Sequence, residues 1–212
     1  MVVHSDPRTK SAARADRPTW IAGCCAGEPA AVAAMFSEHC ETVERVISRL
    51  VGPTPDLEDL VQTTFIEGMR GIQRYRGEAS IKTWITSIAV HVAQHHLRSG
   101  QLRRLTPLDL VPEARVASLA PNPETQLDER RLSARLHAML DSIPARQRIA
   151  LLLFTVDGRS VEEVAALMGA SQTTTRSRVF FARRALRAKI AADRDLAELT
   201  QSIMGRRKEG SA

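Results

Sequence analysis

Apolar and polar positions along this chain alternate in helical periods, and the pattern is clearest between Asp56 and Arg98. Leu57, Leu60, Val61, Phe65, Met69 and Ile72 recur at spacings that place them on one helix face. Thr54 stands where it can cap that helix, and Pro55 suits its first turn, where a missing N–H costs nothing. After a polar break from Gln73 to Ala79, a second face gathers Ile81, Trp84, Ile85, Ile88, Val92 and His96, with Ser80 as its N-cap. Upstream, the pattern predicts a short helix from Trp20 to Cys25, broken at Gly27, Glu28 and Pro29. A longer helix should follow from Ala30 to Leu50, with Val32, Met35, Phe36, Val43, Val46, Ile47 and Leu50 inward, ending at Gly52 and Pro53. Together these helices predict a compact domain over residues 18–98.

Residues 1–17 are polar and without period and read as a disordered arm. Residues 99–121 hold Gly100, Pro107, Pro112 and Pro121, show no sustained period, and read as a flexible linker. Asn122 and Pro123 can then open a helix whose apolar positions are Leu127, Leu132, Leu136, Met139 and Leu140. Ser142, Ile143 and Pro144 restart the chain into a helix with Ile149, Leu152, Leu153 and Val156 inward, which Asp157 and Gly158 stop. Ser160 and Glu163 form a capping box that opens a short helix ending at Met168 and Gly169. Ser171 caps a last helix to about Ile190. A short capped helix, a turn at Gly169 and a long second helix make a helix-turn-helix within residues 122–190. Residues 191–212 read as a tail that starts helical and ends frayed. The expected fold is all-α: two small helical domains joined by a flexible linker, the second containing the helix-turn-helix.

Composition sharpens this in three places. Aromatics are 4% of the chain against 43% hydrophobic residues, which favours small helical domains over a sheet sandwich. The net charge is +6, and Arg176, Arg178, Arg183, Arg184, Arg187 and Lys189 of the last helix supply six positive charges with no acidic residue. A basic recognition helix in a major groove accounts for that concentration, and a basic helix meeting an acidic protein is the alternative. No apolar run reaches membrane-span length and no signal-peptide core is present, so the expected location is the cytoplasm, without membrane insertion.

Tyr75 and Trp84 lie among Arg70, Arg74, Arg76 and Lys82, a mixture suited to unstacked bases and phosphates. The plainer alternative is that Trp84 is core and the arginines solvate a surface. Cys24, Cys25 and Cys40 are odd in number and partly adjacent, so they form no disulfide framework. They read as small hydrophobes in a reduced compartment, with a thiol or zinc sensor including His39 as the alternative. His91 and His95 are one helical turn apart beside His96, and serve either a metal or a DNA backbone. No Gly-rich phosphate loop or nucleophile elbow is present, and the expectation is a protein with no catalytic residue, metal or cofactor of its own.

The runs DLEDLVQTTF, RYRGEASIKTW and IAVHVAQHHLR closely resemble the promoter −10 domain of bacterial RNA polymerase sigma factors, in the small extracytoplasmic-function group. The run LDSIPARQRIALLLFTVDGRSVEEVAALMGASQTTTRSRVFFARRAL resembles the −35 domain of the same group. The resemblance covers roughly Trp20 to Arg98 and Asn122 to Leu186. It implies that Asp59, Gln62 and Thr63 face core polymerase, whose β′ coiled coil and β subunit are the expected partners. It implies −10 contacts from Tyr75, Arg76, Ser80, Lys82, Trp84, His91 and His95. It implies −35 contacts from Arg176, Ser177, Arg178, Phe180 and Arg183. Promoter DNA and an anti-sigma factor are the further partners it implies. His91 stands where the family usually has Asn, His95 where Asp is common, Thr175 where an apolar residue is usual, and Met69 replaces an aromatic. Two other readings remain open. A stand-alone helix-turn-helix regulator needs only residues 142–190. An enzyme acting on nucleic acid would need the acidic cluster Asp56, Glu58 and Asp59, which helix capping and the helix dipole also explain.

Overall fold

The computed structural model describes residues 20–105, 123–193 and Leu196, with 102–105 and 123–131 as backbone only. The described residues are helical throughout, with no strand among them. The elements are α1 (Trp20–Ala26), α2 (Pro29–Val51), α3 (Leu57–Gly71), a 3-10 turn (Ile72–Arg74), α4 (Ile81–Leu105), α5 (Pro123–Asp141), α6 (Ala145–Thr155), α7 (Val161–Leu167) and α8 (Gln172–Ala192). The arm at 1–17, the prolines at 107, 112 and 121, Asn122 and the tail beyond Leu196 lie outside the described residues. So does the side chain of Leu127.

The chain divides into two compact units. The first holds α1 to α3, the 3-10 turn and α4 as far as His96, with Ala166–Ala170 counted alongside; the second holds the remainder. In the first, α2 packs against α1 and α3. Its core is Met35, Val43, Val46, Ile47 and Leu50 of α2 with Leu60, Val61 and Phe65 of α3. Phe36, expected inward, is 46% exposed; its ring leans on Phe65 with centroids 4.7 Å apart. The position that α2 buries instead is His39.

Helix starts follow the sequence closely. The Asp56 amide donates to Thr54 Oγ1 at 3.2 Å, although the helix proper begins at Leu57. The Thr83 amide donates to Ser80 Oγ at 3.1 Å, so Ser80 caps α4. The buried face of α4 is turned from the expected one. Ile81, Ile85, Thr86, Ala89, Val90 and Ala93 are buried, while Trp84, Ile88, Val92 and His96 are half-buried. The alanines at 89 and 93 are fully buried, while the larger side chains at 84, 88 and 92 are only partly covered. α3 comes close to this buried face at Gly68, where a Cβ would lie 2.9 Å from Ile85 Cδ1.

α4 also continues past Arg98 to Leu105, so the segment read as linker begins as helix. Gln101, counted with the second unit, explains part of this. Its Nε2 donates to the carbonyls of Asp141 and Ile143 at 3.3 and 2.8 Å, and its Oε1 accepts from the Ala145 amide at 3.4 Å. In the second unit α6 packs on α8 and α5. Ile143, Leu151 and Ala182 form a buried cluster flanked by Leu140, Ala185 and Leu186. Arg148 is 1% exposed and pairs with the Asp141 carboxylate, the partner that a buried guanidinium requires. Val156, expected inward, is 58% exposed, because the helix ends at Thr155 and the chain turns through Gly158.

Candidate nucleic-acid interface

The helix-turn-helix is built as its sequence dictates. The Ser160 amide donates to Glu163 Oε2 at 2.8 Å and the Glu163 amide donates to Ser160 Oγ at 3.2 Å, closing the capping box that opens α7. Gly169 turns the chain at φ +56°, a conformation that side chains disfavour. The Thr174 amide then donates to Ser171 Oγ at 3.1 Å, capping α8. Thr175, Val179 and Ala182 form the buried face of α8. Thr175 hides its hydroxyl by donating to the Ser171 carbonyl at 3.0 Å, so an apolar position tolerates a polar residue.

Burying that face turns Arg176, Ser177, Phe180, Phe181 and Arg184 outward. Phe180 is 60% and Phe181 51% exposed, with their rings edge to face at 5.5 Å. Arg178 and Arg183 lie by helical register on opposite flanks of this outward face. Arg183 stacks over the Phe154 ring of α6 with its guanidinium carbon 4.9 Å from the centroid. Arg178 is half-buried, and burial together with the nearby Arg146 pushes its guanidinium down from the usual range. Phe181 is the outward residue that sequence reasoning passed over, although its register was available.

In the first unit the loop after the 3-10 turn is held from within. Tyr75 donates its phenol to the Ala79 carbonyl at 2.6 Å, and its ring meets Trp84 at 5.3 Å. Both rings are half-buried, and Arg76, Ser80 and Lys82 are exposed. Trp84, Ile88, His91 and His95 then form one stripe along α4. His91 Nδ1 lies 2.6 Å from the Ser87 carbonyl, which fixes its ring along the helix. Lys82 lies apart from that stripe, on the side of α4 nearer His39, whose ionisation feels its charge. On α3, Asp59, Gln62 and Thr63 are all exposed and share a face with Ile66, which is 45% exposed.

His39 carried no signal of burial in the sequence. It is 3% exposed, its ring meets Trp20 edge-on at 5.9 Å, and Trp20 Nε1 donates to Glu38 Oε2 at 2.9 Å. Burial lowers its pKa against an opposing pull from Glu38. The thiols of Cys24 and Cys40 are pushed up, chiefly by burial.

The all-helical fold, the capped helix-turn-helix and the charged outward face of α8 define a DNA-binding protein of two helical units. Residues 35–103 match the family model Sigma-70 region 2, and residues 133–186 match Sigma-70, region 4. The ECF RNA polymerase sigma factor SigE of Mycolicibacterium smegmatis is 35% identical over 160 residues, covering 74% of this chain and 60% of its own length. The ECF RNA polymerase sigma-E factor of Escherichia coli K12 is 31% identical over 170 residues, covering 77% of this chain and 88% of its own. Two solved structures share the fold. CnrH in complex with the cytosolic domain of CnrY has a TM-score of 0.54 at 20% identity, over 82% of this chain and 96% of that one. The sigma factor RpoE in complex with the anti-sigma factor NepR from Bartonella quintana has 0.52 at 22%, over 75% and 96%. The chain belongs to the sigma-70 family of RNA polymerase sigma factors, in its extracytoplasmic-function group, and acts in promoter recognition and transcription initiation. The family is one of non-catalytic regulators. Among the described residues, no helix is long and apolar enough to cross a membrane.

Proposed function

We propose that residues 18–98 dock on core polymerase and hold the melted −10 strand, while residues 122–190 read the −35 element. The observation that carries this is the outward face of α8, where exposed Arg176, Ser177 and Phe180 stand free of the core that Thr175, Val179 and Ala182 fill. Arginine bonds guanine edges bidentately, which is worth about 1–3 kcal/mol of discrimination per pair. Arg178 and Arg183 flank that face and meet phosphates, setting register and affinity rather than sequence. Asp59, Gln62 and Thr63 serve as the polymerase-facing surface.

At the −10 element, extruding a base costs a few kcal/mol, which a stacking platform and phosphate contacts offset. Tyr75 holds the loop through Ala79, so its role is to position Arg76 and Ser80 and to back Trp84. Trp84, His91 and His95 line the strand, with Lys82 serving its phosphates from the other side of the helix. The solved relatives CnrH and RpoE are held by CnrY and NepR, and an anti-sigma partner is proposed for this chain by that likeness. The proposed location is the cytoplasm.

The test is co-elution with bacterial core polymerase, followed by run-off transcription from promoters carrying or lacking a −35 element. Arg176→Ala should lose −35-dependent initiation while keeping core binding. No complex with core but intact DNA binding would point instead to a stand-alone regulator.

A further inference from the structure

Phe181 puts a half-exposed ring on the outward face of α8, while Thr175, Val179 and Ala182 make the buried face without it. Register sets Phe181 one turn beyond Ser177 in the same row, beside the row of Arg176, Phe180 and Arg184. Its ring meets that of Phe180 edge to face, with centroids 5.5 Å apart and planes at 75°. The two rings therefore make one apolar patch on that face. On the same helix Arg176, Arg183, Arg184 and Arg187 are exposed, and the run from Gln172 to Ala192 contains no acidic residue. So cationic a helix draws a polyanion, but phosphates pair with its arginines rather than with its rings. What a major groove offers an apolar side chain is narrower. Base edges there present hydrogen-bond donors and acceptors, and the one methyl group among them is the C5 methyl of thymine. Phe181 stands in the N-terminal half of α8, toward the end of a recognition helix that contacts base edges.

We propose that Phe181 reads a thymine of the −35 element by covering its C5 methyl, with Phe180 bracing the ring. The contact rests on the reading of α8 as the −35 helix. It chooses sequence through a methyl group alone, so deoxyuridine, which keeps every hydrogen-bonding group of thymidine, defeats it.

The test uses the full chain assembled with core polymerase. A pool of promoter fragments randomised over the −35 element is bound, and the retained fragments are sequenced. Wild type should enrich thymine at one position where the Phe181→Ala holoenzyme shows no preference, the choices at other positions being kept. Phe181→Gln, which keeps the stem of a side chain but no ring, is carried alongside and should behave as Phe181→Ala does. The enriched promoter is then made with deoxyuridine in place of that thymidine. Wild type should bind it about 4-fold more weakly, the worth of one methyl group withdrawn from water. Both variants should bind the two fragments alike. A wild-type holoenzyme that prefers thymine nowhere in the element, or that binds the deoxyuridine fragment as well as its parent, overturns the contact. An undiminished deoxyuridine penalty in the variants also overturns it and assigns the methyl to another residue. Loss of holoenzyme formation in variants that circular dichroism shows to be folded gives the patch to a protein partner, and overturns it too. A wild-type chain that forms no holoenzyme, or a holoenzyme that enriches no −35 sequence of any kind, defeats the underlying reading, and the contact with it.

Discussion

Replacing Gly68 with alanine sets two opposing effects against each other at one atom. In mid-helix, alanine is favoured over glycine by about 0.8–1.0 kcal/mol. The new Cβ would lie 2.9 Å from Ile85 Cδ1, on a side chain with no exposure and little room to yield. Overpacking of this kind costs about 1–3 kcal/mol, so Gly68→Ala should destabilise the first unit by about 1 kcal/mol net. Ile85→Val removes the offending Cδ1 and alone costs about 0.5–1.5 kcal/mol. Combined, the new methyl occupies the space vacated and keeps its helical gain. The double variant should thus return close to wild type, with a coupling of about 1.5–2.5 kcal/mol between neighbours in contact. The readout is guanidinium unfolding followed by tryptophan fluorescence. Both tryptophans, Trp20 and Trp84, lie in the first unit, so the signal reports that unit alone. Additive effects, or a Gly68→Ala variant stabilised by its full helical gain, would refute the reasoning.

Trp84→Ala should impair strand opening more than closed-complex binding, read as permanganate reactivity of −10 thymines. Tyr75→Phe, which keeps the ring contact but loses the bond to Ala79, should give a smaller defect. His39 binds its proton less readily when folded than its ordinary value of 6.5 allows, because burial disfavours the charge. The unfolded chain then holds more protons below that value, so stability of the first unit should fall as pH drops from 6.5 toward the depressed folded value, and His39→Leu should flatten the dependence. Ser171→Ala should cost about 0.5–2 kcal/mol and Ser171→Gly only a few tenths, measured by thermal unfolding, because the lost cap is one amide bond to Thr174.

The elements that announced themselves were those whose signals are local. Ser160 with Glu163, Ser80 and Ser171 each satisfy an amide three residues away, so their roles are written in spacing. The outward face of α8 follows from the same logic, since its buried positions fix what remains. What stayed hidden depends on neighbours distant in sequence. The buried face of α4 includes Ala89 and Ala93, small residues that a count of large hydrophobes misses. Phe36, expected inward, stands exposed and His39 is buried instead, because helical period does not tell which edge of a wide apolar stripe becomes covered. Continuation of α4 to Leu105 rests in part on Gln101, whose partners lie about forty residues further on, beyond any local pattern.

The three thiols described above differ in ways that make the chain chemically addressable. Thiolate is the reacting form, and burial holds Cys24 and Cys40 in the unreactive protonated form, while Cys25 stands exposed at the end of α1. An alkylating dye under brief, near-neutral conditions therefore attaches at Cys25 first, without any engineered cysteine. Such a label sits in the unit that carries Trp20 and Trp84, within a few turns of Trp20. Energy transfer from tryptophan to that label would follow how the unit opens as polymerase, promoter or an inhibitor engages it.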